Sequence, residues 1–373
     1  MPIYHLGSNP NPQEAWTQLC SNPPQEIAVD TEIASFQNRK LLGIGVATGR
    51  SEGFYVTAED ARLSQAIQLL SNPHIRKIYH NAPFDLRVLR QYEVDTVNVD
   101  DTAVMARLVP YPSAALEDVS FWVDRQTESA RTLLHKRGVT SMDKLPQDEL
   151  AKKCITDAEA TFLLKPYLME KISAEYYERE RRLIPVLEYM SRVGIQLDSE
   201  RVDELYEYYN REVGFYLTQA QGLGFNPASP KQVSYVLADR GNFIPFTKSK
   251  KQLSTTDSVL RKLSDPVAQL VLLYRHHAKM LSTYIEPFRG RDRAYTTFHM
   301  DALTGRISST SAGKGQPDRN LQNIPKKVER HNAPTIRSAF MPDDGDAVLT
   351  RMDFSQLELR IIAHLSRDEK MLM

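Results

Sequence analysis

The chain has 373 residues and a mass of 42.6 kDa, more than one ordinary hydrophobic core, so two or three domains are expected. With 41% hydrophobic and 25% charged residues, its composition is that of a soluble globular protein, not of a disordered or fibrous one. Two cysteines, Cys20 and Cys154, exclude a disulfide framework or a cysteine-rich zinc site, and they suit a reducing compartment. The first residues lack the basic and apolar regions of a signal peptide, and no apolar run approaches the ~20 residues of a membrane helix. The expectation is a cytoplasmic protein with no membrane segment.

Lysine plus arginine equals aspartate plus glutamate at 47 each, but the charge is uneven. Residues 1–170 carry 17 basic against 22 acidic side chains, while residues 245–340 carry 17 against 7. The second stretch has the electrostatic footprint of a polyanion binder, or of a solvated basic face. The acidic first part suits a nucleic-acid protein only if its carboxylates hold metal ions.

In chain order, residues 26–32, 41–47 and 53–57 read as strands. A helix follows over about 60–70, then a short strand at 77–80 and a helix over 84–92. This order predicts a mixed sheet with helices packed on it. Residues 103–177 are mostly helical, with one helix starting at Pro146. Two long amphipathic helices follow, split at Gly194 by a short extended piece, and Asp198 or Ser199 caps the second. Ser229-Pro230 and Asp265-Pro266 each open a further helix. Residues 347–355 read as a strand and 355–366 as the helix after it.

The carboxylates of the first third stand out. Asp30 and Glu32 are two apart on a predicted strand, so they share one face. Two acids on one face of an apolar strand repel and are costly to bury, unless a divalent ion neutralises them or the strand end lies in water. Asp85 behind Asn81, and Asp157 on a later helix, add two more. Singly, each reads as a cap or a solvated acid. Together, four acids from three segments can form a two-metal site, in which paired ions activate a water and stabilise a leaving phosphate oxygen.

VDTE at 29–32, HNAPFDLRVL at 80–89 and the late helical Asp157 resemble the three motifs of the DnaQ-like 3′–5′ exonucleases, in the version joined to family A DNA polymerases. The resemblance implies Asp30, Glu32, Asp85 and Asp157 as metal-binding carboxylates. It places Phe36 and Asn81 against the 3′-terminal nucleotides, and Asp101-Thr102 falls on an Asp-Thr pair of the family. One position departs. The family has Tyr four residues before the last Asp, or His five before, to orient the attacking water. Here those positions are Lys153 and Lys152. Water positioning then passes to Lys153 as a cation or donor; the alternative is a nuclease that is slow or inactive.

TGRISSTSAGKGQPDRNLQNIP at 304–325 is similar to the TGRxSSxxPNLQNIP segment of the same polymerases, with a short insertion. Arg306, Ser308, Asn320, Gln322 and Asn323 are implied DNA contacts. RMDFSQLELRIIAHLSRD at 351–368 resembles motif A, which implies Asp353 as a metal-holding catalytic carboxylate and Glu358 as the residue that selects deoxyribose. The segments at 182–198, 229–237 and 273–288 resemble the start of the palm and the thumb.

The resemblance therefore implies an α/β, mixed-sheet DnaQ/RNase H-like exonuclease domain at 1–172, the start of the palm and a mainly helical thumb at 173–303, and a partial α+β palm at 304–373. The implied cofactors are Mg²⁺ or Mn²⁺, two ions per active site. The implied partners are a single-stranded DNA 3′ end and primer–template DNA. The sequence ends 20 residues after Asp353. Synthesis by this chain alone is therefore not expected: either a complementary polymerase chain supplies the fingers and the remaining palm, or the chain is a truncated product. The alternative is a weak or inactive DNA-binding assembly subunit. Both a bacterial cell and a virus-infected host cell suit this reading.

Overall fold

The computed structural model of the protein describes residues 4–35, 39–247, 249, 252–300, 304–310, 319–325 and 333–372. The chain divides into two compact units. The first comprises residues 1–194 and 294–324, the second residues 195–293 and 325–373.

The first unit is built on a six-stranded mixed sheet. Its strands are β1 (Tyr4–Leu6), β2 (Glu26–Ile33), β3 (Leu41–Gly49), β4 (Glu52–Thr57), β5 (Arg76–Tyr79) and β6 (Val99–Asp101). Their order is β1-β4-β3-β2-β5-β6. Strands β1 to β4 pair antiparallel, and β5 and β6 add on parallel to β2. The short strands β1 and β6 escape a reading of the sequence, because three residues are too few to show a period.

The alternation of β2 explains its place at the centre. Ile27, Val29 and Ile33 enter the main apolar core, while Ala28, Asp30 and Glu32 point to the opposite face. That face is covered by the helix Gln147–Met169. Leu150, Ala151, Cys154, Ile155, Ala158, Thr161, Leu164 and Leu168 form its buried stripe at helical spacing, and Asp157 falls on the same stripe.

Gly45 lets this helix approach. It pairs with Asp30 across β2 and β3, and a Cβ there would lie 2.8 Å from Cys154 Sγ and 2.9 Å from the Cys154 carbonyl oxygen. The backbone contact leaves no room for a methyl group. Gly45→Ala is expected to force the helix outward and destabilise the unit by about 2 kcal/mol. Urea denaturation measures this; an unchanged midpoint would contradict the packing.

In the second unit, Ile195–Leu197 pairs antiparallel with Phe340–Met341. The long helix Ser199–Gly222, capped by Asp198 through the Arg201 amide at 2.9 Å, packs against the helix Pro266–Lys279. Ser229 and Asp265 cap their helices as the Ser-Pro and Asp-Pro steps predict. Ala220, Phe225, Val233, Leu237 and Val271 form a separate small core.

The strand expected at 347–355 does not form. Residues 347–354 are exposed and carry no ladder bonds, while the expected helix is present as Leu357–Ser366. A strand exists through its neighbours, and no described residue pairs with this segment. No helix among the described residues is long and apolar enough to cross a membrane.

Candidate exonuclease site

Three elements of the first unit converge on the covered face of β2. Asp30 and Glu32 come from the strand, Asp85 from the first turn of the helix Ala82–Arg90, and Asp157 from the helix Gln147–Met169. Glu32, Asp85 and Asp157 are buried, and Asp30 is half-buried with its Oδ2 out of solvent.

Asp85 is neither a cap nor solvated. Its Oδ1 accepts from the Thr31 amide at 3.0 Å and from Thr31 Oγ at 2.7 Å, which ties its helix to β2. Asp30 Oδ2 and Asp157 Oδ1 are buried and accept no hydrogen bond. Buried polar atoms are normally satisfied, so two orphaned carboxylate oxygens in one site indicate a ligand. Hard oxygen donors fit a hard divalent cation such as Mg²⁺ or Mn²⁺. Asp30, Glu32 and the Cys154 thiol bring ligand atoms within 4.8 Å of one another, among the described residues. Cys154 is a neighbour that the sequence did not announce.

Lys153 decides the electrostatics. Its Nζ lies 2.7 Å from Glu32 Oε1 and 2.7 Å from Asp157 Oδ2, with 13% of the side chain exposed. The position where the family has a tyrosine therefore holds a cation that bridges two of the four acids. Burial pulls the ammonium pKa down, but Asp157, Glu32 and Asp30 outweigh it and hold the value well above the usual lysine range. Lys152, one residue earlier, is exposed.

Burial raises the pKa of Asp30, Glu32 and Asp157, opposed by Lys153, and lifts Asp85 from 3.8 to about 7. A carboxyl raised in the folded state favours the fold while protonated. Asp85's contribution is complete below about pH 4 and is lost as pH rises through about 7. With a chelator present, the melting temperature is therefore expected to fall between about pH 4 and 7, and Mn²⁺ to restore it. A flat profile in calorimetry would contradict the buried cluster.

Beside Asp30 lies a cleft of about 380 Å³, lined also by Asn81, Arg107, Tyr111, Glu117 and His299. Asn81 adopts φ +71°, a left-handed conformation that asparagine tolerates. Asp101 holds it there: the carboxylate accepts from the amides of Asn81 (2.9 Å), Ala82 (2.8 Å), Ala103 (2.8 Å) and Val104 (3.3 Å). His80 is fixed as well, with Nδ1 2.9 Å from Thr102 Oγ and Nε2 2.8 Å from the Ala114 carbonyl. Phe36 lies outside the described residues.

The segments that carry Ser308, Asn320, Gln322 and Asn323 also come together, with Arg306 two residues before Ser308. Ser308–Thr310 pairs with Thr297–His299, and Ser309 Oγ donates to Asn320 Oδ1 at 2.8 Å. Asn320 caps the turn Leu321–Asn323, and Gln322 donates to the Ile307 carbonyl at 3.0 Å, so two of the five hold the loop itself. Asp353 is not part of a built site. Its side chain is 68% exposed and meets only Arg351, at 3.4 Å, among the described residues. Glu358, in the first turn of the following helix, is exposed.

A sheet of this order, with four acids from one strand and two helices converging on one face and Asp30 opening onto a cleft, has the form of a metal-dependent nuclease domain. Residues 9–173 match the family profile described as 3′-5′ exonuclease, and residues 200–373 match DNA polymerase family A. The DNA polymerase I of Chloroflexus aurantiacus is 30% identical over 385 residues, covering 93% of this chain and 40% of the relative. That of Bacillus subtilis is 26% identical over 370 residues, covering 94% and 41%. The solved POL domain of Pol1 from M. smegmatis, in complex with DNA primer-template and dNTP, shares the fold with a TM-score of 0.72 and 23% identity, over 98% of this chain and 63% of that one. The chain belongs to DNA polymerase family A, with a 3′-5′ exonuclease region ahead of a polymerase region. It spans about two fifths of the length of these curated relatives.

Proposed function

We propose that residues 1–172 remove nucleotides from DNA 3′ ends by metal-dependent hydrolysis, as a proofreading nuclease. The observation that carries this reading is the pair of orphaned, buried carboxylate oxygens on Asp30 and Asp157, beside a cleft in the exonuclease region. Asp30, Glu32, Asp85 and Asp157 hold Mg²⁺ or Mn²⁺, which when bound activates water and stabilises the leaving oxygen. The family expectation is two ions per active site. Asn81, with Phe36, contacts the 3′-terminal nucleotide, and Lys153 stands beside Glu32 and Asp157 as the donor nearest the attacking water.

We assign the remainder to synthesis. Residues 173–303 form the palm start and thumb, and residues 304–373 part of the palm. Asp353 supplies one metal-holding carboxylate, Glu358 selects deoxyribose, and Arg306, Ser308, Asn320, Gln322 and Asn323 contact primer–template. Val348, Leu349, Met352, Phe354 and Leu365 are exposed, and an apolar surface of this kind is normally covered. Further residues of the same polypeptide, or a complementary polymerase chain, would cover it and supply the fingers and the remaining palm. The setting is the bacterial cytoplasm, as for the relatives' hosts.

The basic excess in residues 245–340 supports DNA binding through phosphates. Primer–template affinity is expected to fall at least about 100-fold between roughly 50 and 200 mM salt, read by fluorescence anisotropy. A flat response would remove that argument.

A second reading is an assembly subunit with little or no nuclease activity. It is favoured by the Lys153 ammonium, which already engages two of the four acids. Incubation with 3′-labelled single-stranded DNA separates the two. Release of labelled mononucleotide with Mg²⁺ or Mn²⁺, abolished by chelator, supports the nuclease. No release with either metal, while primer–template still binds, supports the assembly subunit.

A further inference from the structure

We propose that Lys153 is a tethered cation of the carboxylate cluster, which limits the exonuclease site to one divalent ion. The inference rests on the reading of this cluster as a metal site.

The ammonium sits 2.7 Å from both Glu32 and Asp157, so two of the four acids already share a positive charge. Lys153 and Asp157 are four residues apart on one helix, which presets their contact before any ligand arrives. Four ionised carboxylates with this ammonium carry a charge of about −3. One divalent ion brings the cluster to about −1, and a second would make it positive around a fixed ammonium. The buried oxygens that accept no hydrogen bond are Asp30 Oδ2 and Asp157 Oδ1, whereas Asp85 Oδ1 is committed to Thr31 and Glu32 Oε1 and Asp157 Oδ2 to Lys153. A second ion would have to displace Lys153, break two charge-assisted hydrogen bonds and leave a largely buried ammonium unpaired. A tyrosine at this position, as in the family pattern, would impose none of these conditions.

The test counts Mn²⁺ by electron paramagnetic resonance and calorimetric titration on the full chain. An Asp353→Ala background keeps motif A from contributing. One bound Mn²⁺ is expected, lost in Asp30→Asn and retained in Lys153→Arg. Lys153→Met, which removes the charge, is expected to bind two. Two ions in the parent chain, or one in a folded Lys153→Met, overturn the proposal. If Lys153→Met does not fold, the parent count decides alone. Two ions with 3′-end cleavage intact would refute only this inference. No Mn²⁺ in parent or variant would remove both the inference and the metal-site reading beneath it.

Discussion

Asp30→Ala is expected to reduce metal-dependent release of 3′ nucleotides by at least about 100-fold, and Asp157→Ala likewise. Changes to groups that merely support metal ligands cost 10- to 100-fold, so loss of a ligand itself sets that range as a floor. Asp30 is the central acid of the cluster: it faces the cleft, neighbours Glu32 on the same strand face and carries an orphaned buried oxygen. Asp157 contributes the second orphaned oxygen while its other oxygen holds Lys153. Neither substitution leaves a large cavity, so folding is expected to survive and circular dichroism should be unchanged. Asp353→Ala, in the other unit, is expected to leave 3′ release intact. Activity retained in both Asp30→Ala and Asp157→Ala would remove the assignment of the site.

Asp101→Ala is expected to destabilise the first unit by about 4 kcal/mol. The residue is buried, and its carboxylate accepts from four backbone amides drawn from two segments about 20 positions apart. Two of these amides begin the helix Thr102–Arg107; the other two hold the left-handed turn at Asn81 that opens the helix bearing Asp85. Truncation would orphan several buried N–H groups at about 1–3 kcal/mol each, partly relieved by water. The Asp101 amide is itself anchored to the Tyr177 hydroxyl at 3.0 Å, which donates to Asp100 at 3.1 Å, so the segment cannot readily move to compensate. Because the clamp sets both Asn81 and Asp85, nuclease activity should fall with stability. Asp101→Asn keeps one acceptor oxygen and should lose less. Urea denaturation reads the difference; a loss below about 1 kcal/mol for Asp101→Ala would contradict the clamp.

The legibility of this molecule follows the range of its interactions. The alternation in β2 is local, so the strand and the shared face of Asp30 and Glu32 could be read directly. Asp157 read by itself as a solvated helical acid, and only the family resemblance placed it in the site. The partners of these residues could not be read. Thr31 meets Asp85 across 54 positions, and Lys153 meets Glu32 across 121. Lys153 was legible as a departure from the family pattern, but not as a bridge, because a bridge depends on where the helix crosses the sheet. That crossing is set by Gly45, which a sequence shows only as one more glycine in a strand. Asp101 was marked only by an Asp-Thr pair of the family, and its second pair of amides follows the neighbouring strand β5. Arg107, Tyr111 and His299 gave no local signal for their shared cleft. The strand expected at 347–355 has the right composition but no neighbour among the described residues, and composition alone does not make a ladder.

The most direct test of the central claim, that these carboxylates hold a divalent ion, is anomalous diffraction from crystals of the chain soaked in Mn²⁺. An anomalous peak is expected within bonding distance of Asp30 and Asp157, absent from Asp30→Ala crystals grown in the same way. Crystals with Mn²⁺ bound elsewhere on the chain, but none at this cluster, would contradict it.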